Sequence, residues 1–128
     1  IRIKQIEIKP DLISIENSVE ITFHFWYTGN DKEVRLAFDL INLHEQVVFG
    51  SGEVIEINEG IGSAKCIIPA NLLNDDVYSI NLYFLNVDMQ PLYNTNEAAS
   101  FEVTDKERNY AYFGKINGVV RPKLQWIK

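Results

Sequence analysis

The residues that most often carry catalysis or bind metals are few in this chain and stand far apart. The 128 residues include two histidines, His24 and His44, and a single cysteine, Cys66. None of them stands at the spacing of a zinc site, and one cysteine cannot supply a set of thiolate ligands. Cys66 precedes two isoleucines and is expected to pack as a small hydrophobic side chain. We therefore expect neither a metal nor a cofactor.

Other catalytic patterns are missing as well. The sequence has no Gly-x-Ser-x-Gly elbow, and Gly114-Lys115 lacks the upstream glycine of a phosphate-binding loop. The acidic string Glu53, Glu56 and Glu59 would alternate between the two faces of a strand, so its carboxylates do not converge on a cation. Asp75-Asp76 is typical of a turn. The sequence thus predicts a domain that is not an enzyme.

The charge balance excludes further classes of function. The net charge is −6 and the pI is near 4.8, which argues against a nucleic-acid partner, because phosphates require a basic surface. No uncharged apolar stretch reaches the roughly 18 residues that a membrane helix needs, so direct membrane insertion is not expected. The chain begins with Ile1 rather than Met, and we interpret it as the C-terminal fragment of a longer polypeptide.

The elements that would position any site are strands, because the dominant hydrophobic period is two. Turn residues such as Gly29-Asn30-Asp31 separate the runs. A phase shift between Ile3 and Ile6 predicts a β-bulge in the first run. The pattern predicts one all-β domain over residues 1–128, an immunoglobulin-like antiparallel sandwich of about seven to nine strands. The alternating apolar residues that support it are Val19, Ile21, Phe23, Phe25, Tyr27, Val34, Leu36, Phe38, Leu40, Tyr78, Ile80, Leu82, Phe84, Ala99, Phe101 and Val103.

The same alternation places polar and aromatic side chains on the outer faces of the strands. The residues predicted to face outward as a glycan site are His24, Trp26, Asp39, Asn81 and Tyr83. An exposed aromatic ring matches the C–H face of a sugar, and neighbouring polar groups match its hydroxyls. The alternative is that a neighbouring element or a second subunit covers Trp26, and the five residues could be divided between two sheets.

The sequence also resembles a known family over essentially its full length. The resemblance is carried by "IPANLLNDDVYSINLYFLNVDMQPLYN", by "ASFEV", and by the terminal "NGVVRPKLQWIK", whose Gly118-Val-Val-Arg-Pro-Lys-Leu-Gln-Trp126 is the most distinctive part. These segments resemble the Wzt C-terminal domain family. Asp76 stands where the family often has glycine, and the turn at residues 88–91 lacks the usual glycine; both are turn substitutions.

The resemblance implies a function and an assembly. Such domains follow the ATPase domain of a polysaccharide ABC transporter, bind an O-antigen-like glycan in the cytoplasm, and help to couple it to export through the membrane permease. It also implies a homodimer in which the last strand is exchanged, with residues 110–128 as the arm and 104–109 as the hinge. The apolar arm residues would be Tyr110, Tyr112, Phe113, Val119, Val120, Leu124 and Trp126, and Pro122 fits only a sheet edge or bulge.

Two alternatives remain open from the sequence. Residues 117–126 could fold back as a strand on their own subunit instead of being exchanged. The domain could also be a structural or adhesive module, similar to fibronectin, without a sugar site.

Overall fold

The computed structural model describes residues 1–105 and 116–128, and these form two packed β-sheets. The strands are β1 (Arg2–Lys9), β2 (Ile13–Ser14), β3 (Val19–Trp26), β4 (Glu33–Ile41), β5 (Val47–Glu56), β6 (Ile61–Ile68), β7 (Asp76–Leu85) and β8 (Pro91–Thr104). One sheet has the order β1-β3-β6 and the other has the order β2-β8-β7-β4-β5. All neighbours are antiparallel except the short β2, which runs parallel to β8. The predicted all-β sandwich is confirmed.

The core lies between the sheets and is filled by the residues that the period of two predicts to face inward. Along β3, every second side chain from Val19 to Phe25 is buried. The sheets meet through aromatic pairs: the rings of Phe25 and Phe84 lie 4.7 Å apart, edge to face, and those of Phe23 and Phe38 lie 5.8 Å apart. Each such side chain contributes about 1.5–3 kcal/mol by burial. This packing fixes which side chains remain on the outer faces.

Register shifts interrupt the described ladders at four places, and two of them bear on the sequence prediction and on the site. The register of β1 against β3 shifts between Ile3 and Gln5, which confirms the predicted bulge. The second lies on β8: Ile80 pairs with Ala99, but Leu82 pairs with Thr95, so extra residues on β8 stand opposite Asn81. Bulges re-aim side chains and often occur beside functional sites.

Gly62 on β6 faces the core opposite Phe25, and a Cβ at this position would collide with the Phe25 ring. We expect Gly62→Ala to lower the free energy of unfolding by about 1–3 kcal/mol, because Phe25 is locked against Phe84 and cannot move away freely. Urea unfolding of the purified domain measures this. The control is Ser63→Ala at the adjacent outward position, which loses only an exposed hydrogen bond to His24 and should change stability by about 0.5 kcal/mol or less. Equal stability of the two variants would contradict the packing argument.

The C-terminal residues 116–128 contact the sandwich at one end and then leave it. Val120 forms an isolated bridge with Leu73, and the Arg121 N–H donates to the Leu72 carbonyl at 2.7 Å. Among the described residues the predicted strand over 117–126 is otherwise not formed, and Pro122 within it has no N–H to donate to a ladder. Pro122 and the residues after it are exposed and irregular. Tyr110, Tyr112, Phe113 and most of the predicted hinge lie outside the described residues.

Two further findings bear on the sequence predictions. Within the described ranges, no helix has the length and apolarity needed to cross a membrane. Cys66 packs against the core as a partly buried side chain, as predicted, and this burial raises the pKa of its thiol.

Candidate functional site

The five residues predicted to bind a glycan lie on opposite outer faces of the sandwich. His24 and Trp26 belong to β3 in the three-stranded sheet. Asp39 belongs to β4, and Asn81 and Tyr83 belong to β7, in the five-stranded sheet. Because the core separates the two groups, the five side chains cannot contact the same sugar residue. The structure therefore divides the predicted set into two candidate surfaces.

The Trp26 face, which comprises the outward residues Arg2, Lys4, His24 and Trp26, is basic and aromatic. The Arg2 guanidinium carbon lies 5.4 Å and the Lys4 ammonium 5.7 Å from the centre of the Trp26 ring, within cation–π range. His24 Nδ1 lies 3.1 Å from the Ser63 hydroxyl on β6. Trp26 is 37 % exposed, but its ring already contacts two cations. A sugar would have to compete with these cations for the ring.

Asp39, Asn81 and Tyr83 are brought together on the other sheet. Asp39 and Asn81 are direct partners in the β4–β7 ladder, so their side chains project side by side. The Tyr83 hydroxyl donates a hydrogen bond of 3.3 Å to Asp39 Oδ2. Burial, followed by the negative charge of Asp39, raises the pKa of Tyr83, so the phenol stays protonated and remains a donor to the carboxylate. The hydrogen bond between Tyr83 and Asp39 therefore fixes the orientation of both side chains.

Glycine on β5 keeps the sheet surface beside Asp39 open. Gly50 pairs with Asp39, and a Cβ on Gly50 would lie only 2.7 Å from Asp39 Oδ1. Gly52 pairs with Ala37 at the next outward position, and a Cβ there would be 3.0 Å from the alanine methyl group. Neither position can carry a larger side chain without a shift of its neighbours. No side chain therefore projects from β5 beside Asp39, and one edge of the Asp39 carboxylate remains accessible.

The β8 bulge forms one wall of this surface. The Glu97 N–H donates to Asn81 Oδ1 at 3.0 Å, and this bond connects the bulge to β7, which with β4 forms the floor of the surface. Glu97 has a φ of 52°, a left-handed conformation that is uncommon for residues other than glycine. Such a backbone is retained only where the surroundings impose it, and it is frequent at binding sites. Asn96 and Glu97 of this bulge both line the depression described below.

The hairpin loop between β4 and β5 forms the opposite wall. Asn42 Oδ1 accepts from the Gln46 N–H at 2.9 Å, and Asn42 Nδ2 donates to Gln46 Oε1 at 2.9 Å. Glu45 takes a left-handed φ of 63° at the tip. These contacts fix the loop, so the wall is preformed.

Together these elements enclose a depression of about 840 Å³ on the outer face of the five-stranded sheet, which we call the polar groove. Its polar lining residues are Asp39, Asn42, Glu45, Tyr78, Ser79, Asn81, Tyr83, Asn96, Glu97 and Ser100. Apolar side chains such as Ile41, Leu43 and Val47 complete it at the hairpin end. No lysine, arginine or histidine is among the lining residues of the described chain.

The groove offers hydrogen bonding and apolar contact. Carboxylates, amides and hydroxyls line it, and no group of His, Cys, Asp and Glu suited to a metal occurs within the ranges 1–105 and 116–128. Sequence reasoning missed Ser79 and Ser100, although both share the outward phase of Asn81. It could not have found Asn96 and Glu97, since the β8 bulge depends on a register that the hydrophobic pattern does not determine.

The comparisons with known proteins agree with this architecture. No protein-family model matches the chain, and no curated protein matches it. Among solved structures, the chain matches one described as "Crystal structure of the C-terminal domain of wzt" with a TM-score of 0.74 and 16% sequence identity. The match covers 99% of this chain and 83% of that one. The predicted resemblance is therefore confirmed at the level of the fold.

Proposed function

We propose that this chain is a non-catalytic carbohydrate-binding domain that recognises an O-antigen-like polysaccharide in the polar groove and helps to couple it to export by an ABC transporter. The observation that carries the proposal is the convergence of Asp39, Asn81 and Tyr83 in a preformed groove on a sheet face. The fold likeness to the C-terminal domain of Wzt supports the transporter context.

The groove suits a sugar polymer in shape and chemistry. Its volume lies within the range of about 300–1,000 Å³ that is usual for ligand sites. Polar groups at fixed positions on the floor can exchange hydrogen bonds with ring hydroxyls, and Leu43 and Val47 can contact C–H groups. Net gains per hydrogen bond are small, about 0.5–1.5 kcal/mol, so a single groove is expected to bind weakly.

The proposed assembly compensates for weak binding. We expect an ATPase domain upstream in the same polypeptide, a membrane permease as its partner, and a cytoplasmic position at the inner membrane. We also expect a homodimer joined by the arm residues Val119, Val120, Pro122, Leu124 and Trp126. The exposure of Leu124 and Trp126, which leave the sandwich without a covering partner among the described residues, supports the arm. Two linked grooves on one polymer would bind by avidity.

Substitutions on the two faces test the site. We expect Tyr83→Ala and Asp39→Asn each to weaken binding of the surface polysaccharide of the source organism by about tenfold, because each removes a group from the groove floor. The matched control is Trp26→Ala, which removes an aromatic side chain from the opposite face and should leave affinity unchanged. Affinity electrophoresis in gels that contain the polysaccharide measures both, with far-ultraviolet circular dichroism as the folding control.

The pattern of losses decides between the surfaces. Loss of binding in Trp26→Ala with retention in both groove variants would move the site to the three-stranded sheet. Failure of the folded wild-type domain to bind any polysaccharide of the source organism or of related strains would favour a structural or adhesive module.

A further inference from the structure

We infer that the polar groove selects uncharged, hydroxyl-rich sugar residues and discriminates against sugars that carry a carboxylate or phosphate. This inference rests on the proposed function and names the class of glycan that the site accepts. It follows from two independent features of the groove: the sign of its charges, and the hydrogen-bonding groups that remain free in it.

The charged residues that line the groove are all acidic. Asp39 lies on the floor, Glu45 on the hairpin wall and Glu97 on the bulge wall. The cation that shares this face of β4 is Arg35, which lies beyond Ala37 and does not line the groove. An anionic sugar would thus enter a half-enclosed space with like charges on three sides and no basic lining residue to neutralise it.

The opposite sheet shows that the acidic lining of the groove does not simply reflect the negative net charge of the chain. The outward side chains of the three-stranded sheet include the cations Arg2, Lys4, Lys9 and Lys65. Two acidic residues, Glu7 and Glu20, share that face, and Lys65 lies 3.7 Å from Glu20. Basic groups are therefore available in the fold but are placed on the other surface. The acidic character belongs to the groove itself.

The hydrogen-bonding groups of the groove include both acceptors and donors: carboxylate oxygens accept, whereas the Asn81 amide nitrogen and the Ser79 and Ser100 hydroxyls can donate. The Tyr83 hydroxyl donates its hydrogen bond to Asp39 Oδ2, and Asn81 Oδ1 accepts from the Glu97 N–H. Asp39 Oδ1, which faces Gly50, is an acceptor that a sugar O–H can satisfy. A hydroxyl both donates and accepts, whereas a carboxylate or phosphate brings acceptors only. The floor can therefore pair with a neutral sugar more completely than with an acidic one.

A matched pair of modified polysaccharides tests the inference. A polysaccharide that the wild-type domain retains is converted, to the same degree of substitution, into a hydroxyethyl derivative and a carboxymethyl derivative. The two differ in charge but carry substituents of similar size. In low-salt buffer we expect the carboxymethyl derivative to bind at least about tenfold more weakly than the hydroxyethyl derivative, which corresponds to about 1.4 kcal/mol.

Salt and mutation identify the groove as the origin of the effect. Charges are screened over about 3 Å at 1 M salt, so the ratio should fall there toward the smaller part that hydrogen bonding contributes. Asp39→Asn should reduce the low-salt ratio to about threefold. Lys65→Gln, on the opposite sheet, is the control and should leave the ratio unchanged.

The outcomes separate this inference from the proposed function. Equal binding of the two derivatives, or preference for the carboxymethyl form, would overturn the inference while polysaccharide binding itself stands. Retention of no polysaccharide by the folded domain would overturn both. A low-salt preference that persists in Asp39→Asn and changes in Lys65→Gln would also overturn the inference, because it would place the selection on the other face.

Discussion

Removal of residues 122–128 should turn the proposed dimer of this domain into a monomer. These residues follow the last contact with the sandwich, the Arg121 N–H bond to the Leu72 carbonyl, so the truncation leaves that contact in place. They carry Leu124, which is 69% exposed, and Trp126, which is 83% exposed. Side chains of this size rarely stay in water without a function when they stand together at the end of a segment.

The expected size of the effect follows from burial. Covering a large apolar side chain contributes about 1.5–3 kcal/mol. A twofold dimer contains two arms, each with Leu124 and Trp126, so the loss of both arms should cost at least about 6 kcal/mol. That corresponds to a decrease in dimer affinity on the order of 10⁴-fold. Size-exclusion chromatography with light scattering, over a range of protein concentrations, measures the change.

The matched controls keep the chain at full length. Leu124→Ser combined with Trp126→Ser should also give a monomer, whereas Lys123→Ser combined with Lys128→Ser, in the same exposed segment, should remain dimeric. A dimer that survives the truncation would show that another surface holds the subunits together. A wild-type domain that is monomeric at all concentrations would refute the arm altogether.

Monomerisation should also separate binding to one sugar unit from binding to a polymer. A truncated domain keeps its groove, so its affinity for a short oligosaccharide is expected to be unchanged. Its retention by the long polysaccharide should fall by about 10²–10⁴-fold, because linked sites gain avidity only when both can engage.

The fold could be predicted because one face of each of the central strands β3, β4 and β7 is buried. Where a strand alternates as strictly as Val19 to Phe25, a shift of register by one residue would move every large side chain into water. The sequence therefore determines the inward phase, and even the bulge after Ile3 is visible as a break in that phase. Local alternation is strong evidence for the element and for its orientation.

The site could be predicted only in part, because phase does not say to which sheet a strand belongs. Trp26 and Tyr83 have the same outward signal, yet they lie on opposite faces, since β3 joins β1 and β6 while β7 joins β4 and β8. That assignment depends on long-range pairing. The groove around Asp39 further depends on the absence of a side chain at Gly50, which only the β4–β5 register reveals.

The C-terminal segment shows a different limit. Its alternation from Val119 to Trp126 is as strand-like as that of other segments, but a strand requires a neighbouring strand to satisfy its N–H and C=O groups. Among the described residues the segment forms a single bridge, between Val120 and Leu73. The segment therefore has a strand-like sequence but does not form a strand in one copy of the domain.

Asn74 controls where this segment leaves the sandwich. Its side chain is 1% exposed, and its Nδ2 donates to the carbonyls of Ile116 and Gly118, both at 2.7 Å. Arg121 lies beside it, with Nη1 3.4 Å from Asn74 Oδ1 and Nη2 2.7 Å from Asp105 Oδ2. The two residues hold the start of the arm against the body through buried polar contacts.

Tyr78 fixes Asn74 from the other side. The Tyr78 hydroxyl donates to the Asn74 carbonyl at 2.7 Å. Burial, followed by the charges of Asp76 and Asp75, raises the pKa of Tyr78, so the hydroxyl remains a donor at neutral pH. Tyr78 thus holds the Asn74 backbone in place on the sandwich. We call Asn74, with its bonds to residues 116–118, the anchor of the C-terminal segment, and the Asn74 side-chain amide supplies these bonds.

Asn74→Ala should release residues 116–121 without unfolding the sheets. The variant loses the two short hydrogen bonds to the Ile116 and Gly118 carbonyls, together with the bonds that Asn74 Oδ1 accepts from the Asp75 N–H and from Arg121 Nη1. The expected cost is at least about 2 kcal/mol. Amide hydrogen exchange of this segment should accelerate by about thirtyfold or more, since exchange reports local opening, while β3 and β7 keep their protection. The control is Asn117→Ala, an exposed residue in the same segment, which should exchange like the wild type. Unchanged exchange in Asn74→Ala would mean that other contacts hold the segment.

The same variant links the anchor to the arm. If the arm is exchanged, the direction in which it leaves Arg121 determines whether Leu124 and Trp126 can reach a second copy. Loosening the anchor makes more orientations accessible in the free subunit, and dimerisation must then restrict them again. Asn74→Ala should therefore weaken the dimer by tenfold or more although it removes no apolar side chain of the arm. An Asn74→Ala dimer as tight as the wild type, with exchange accelerated as predicted, would show that the arm finds its partner without the anchor.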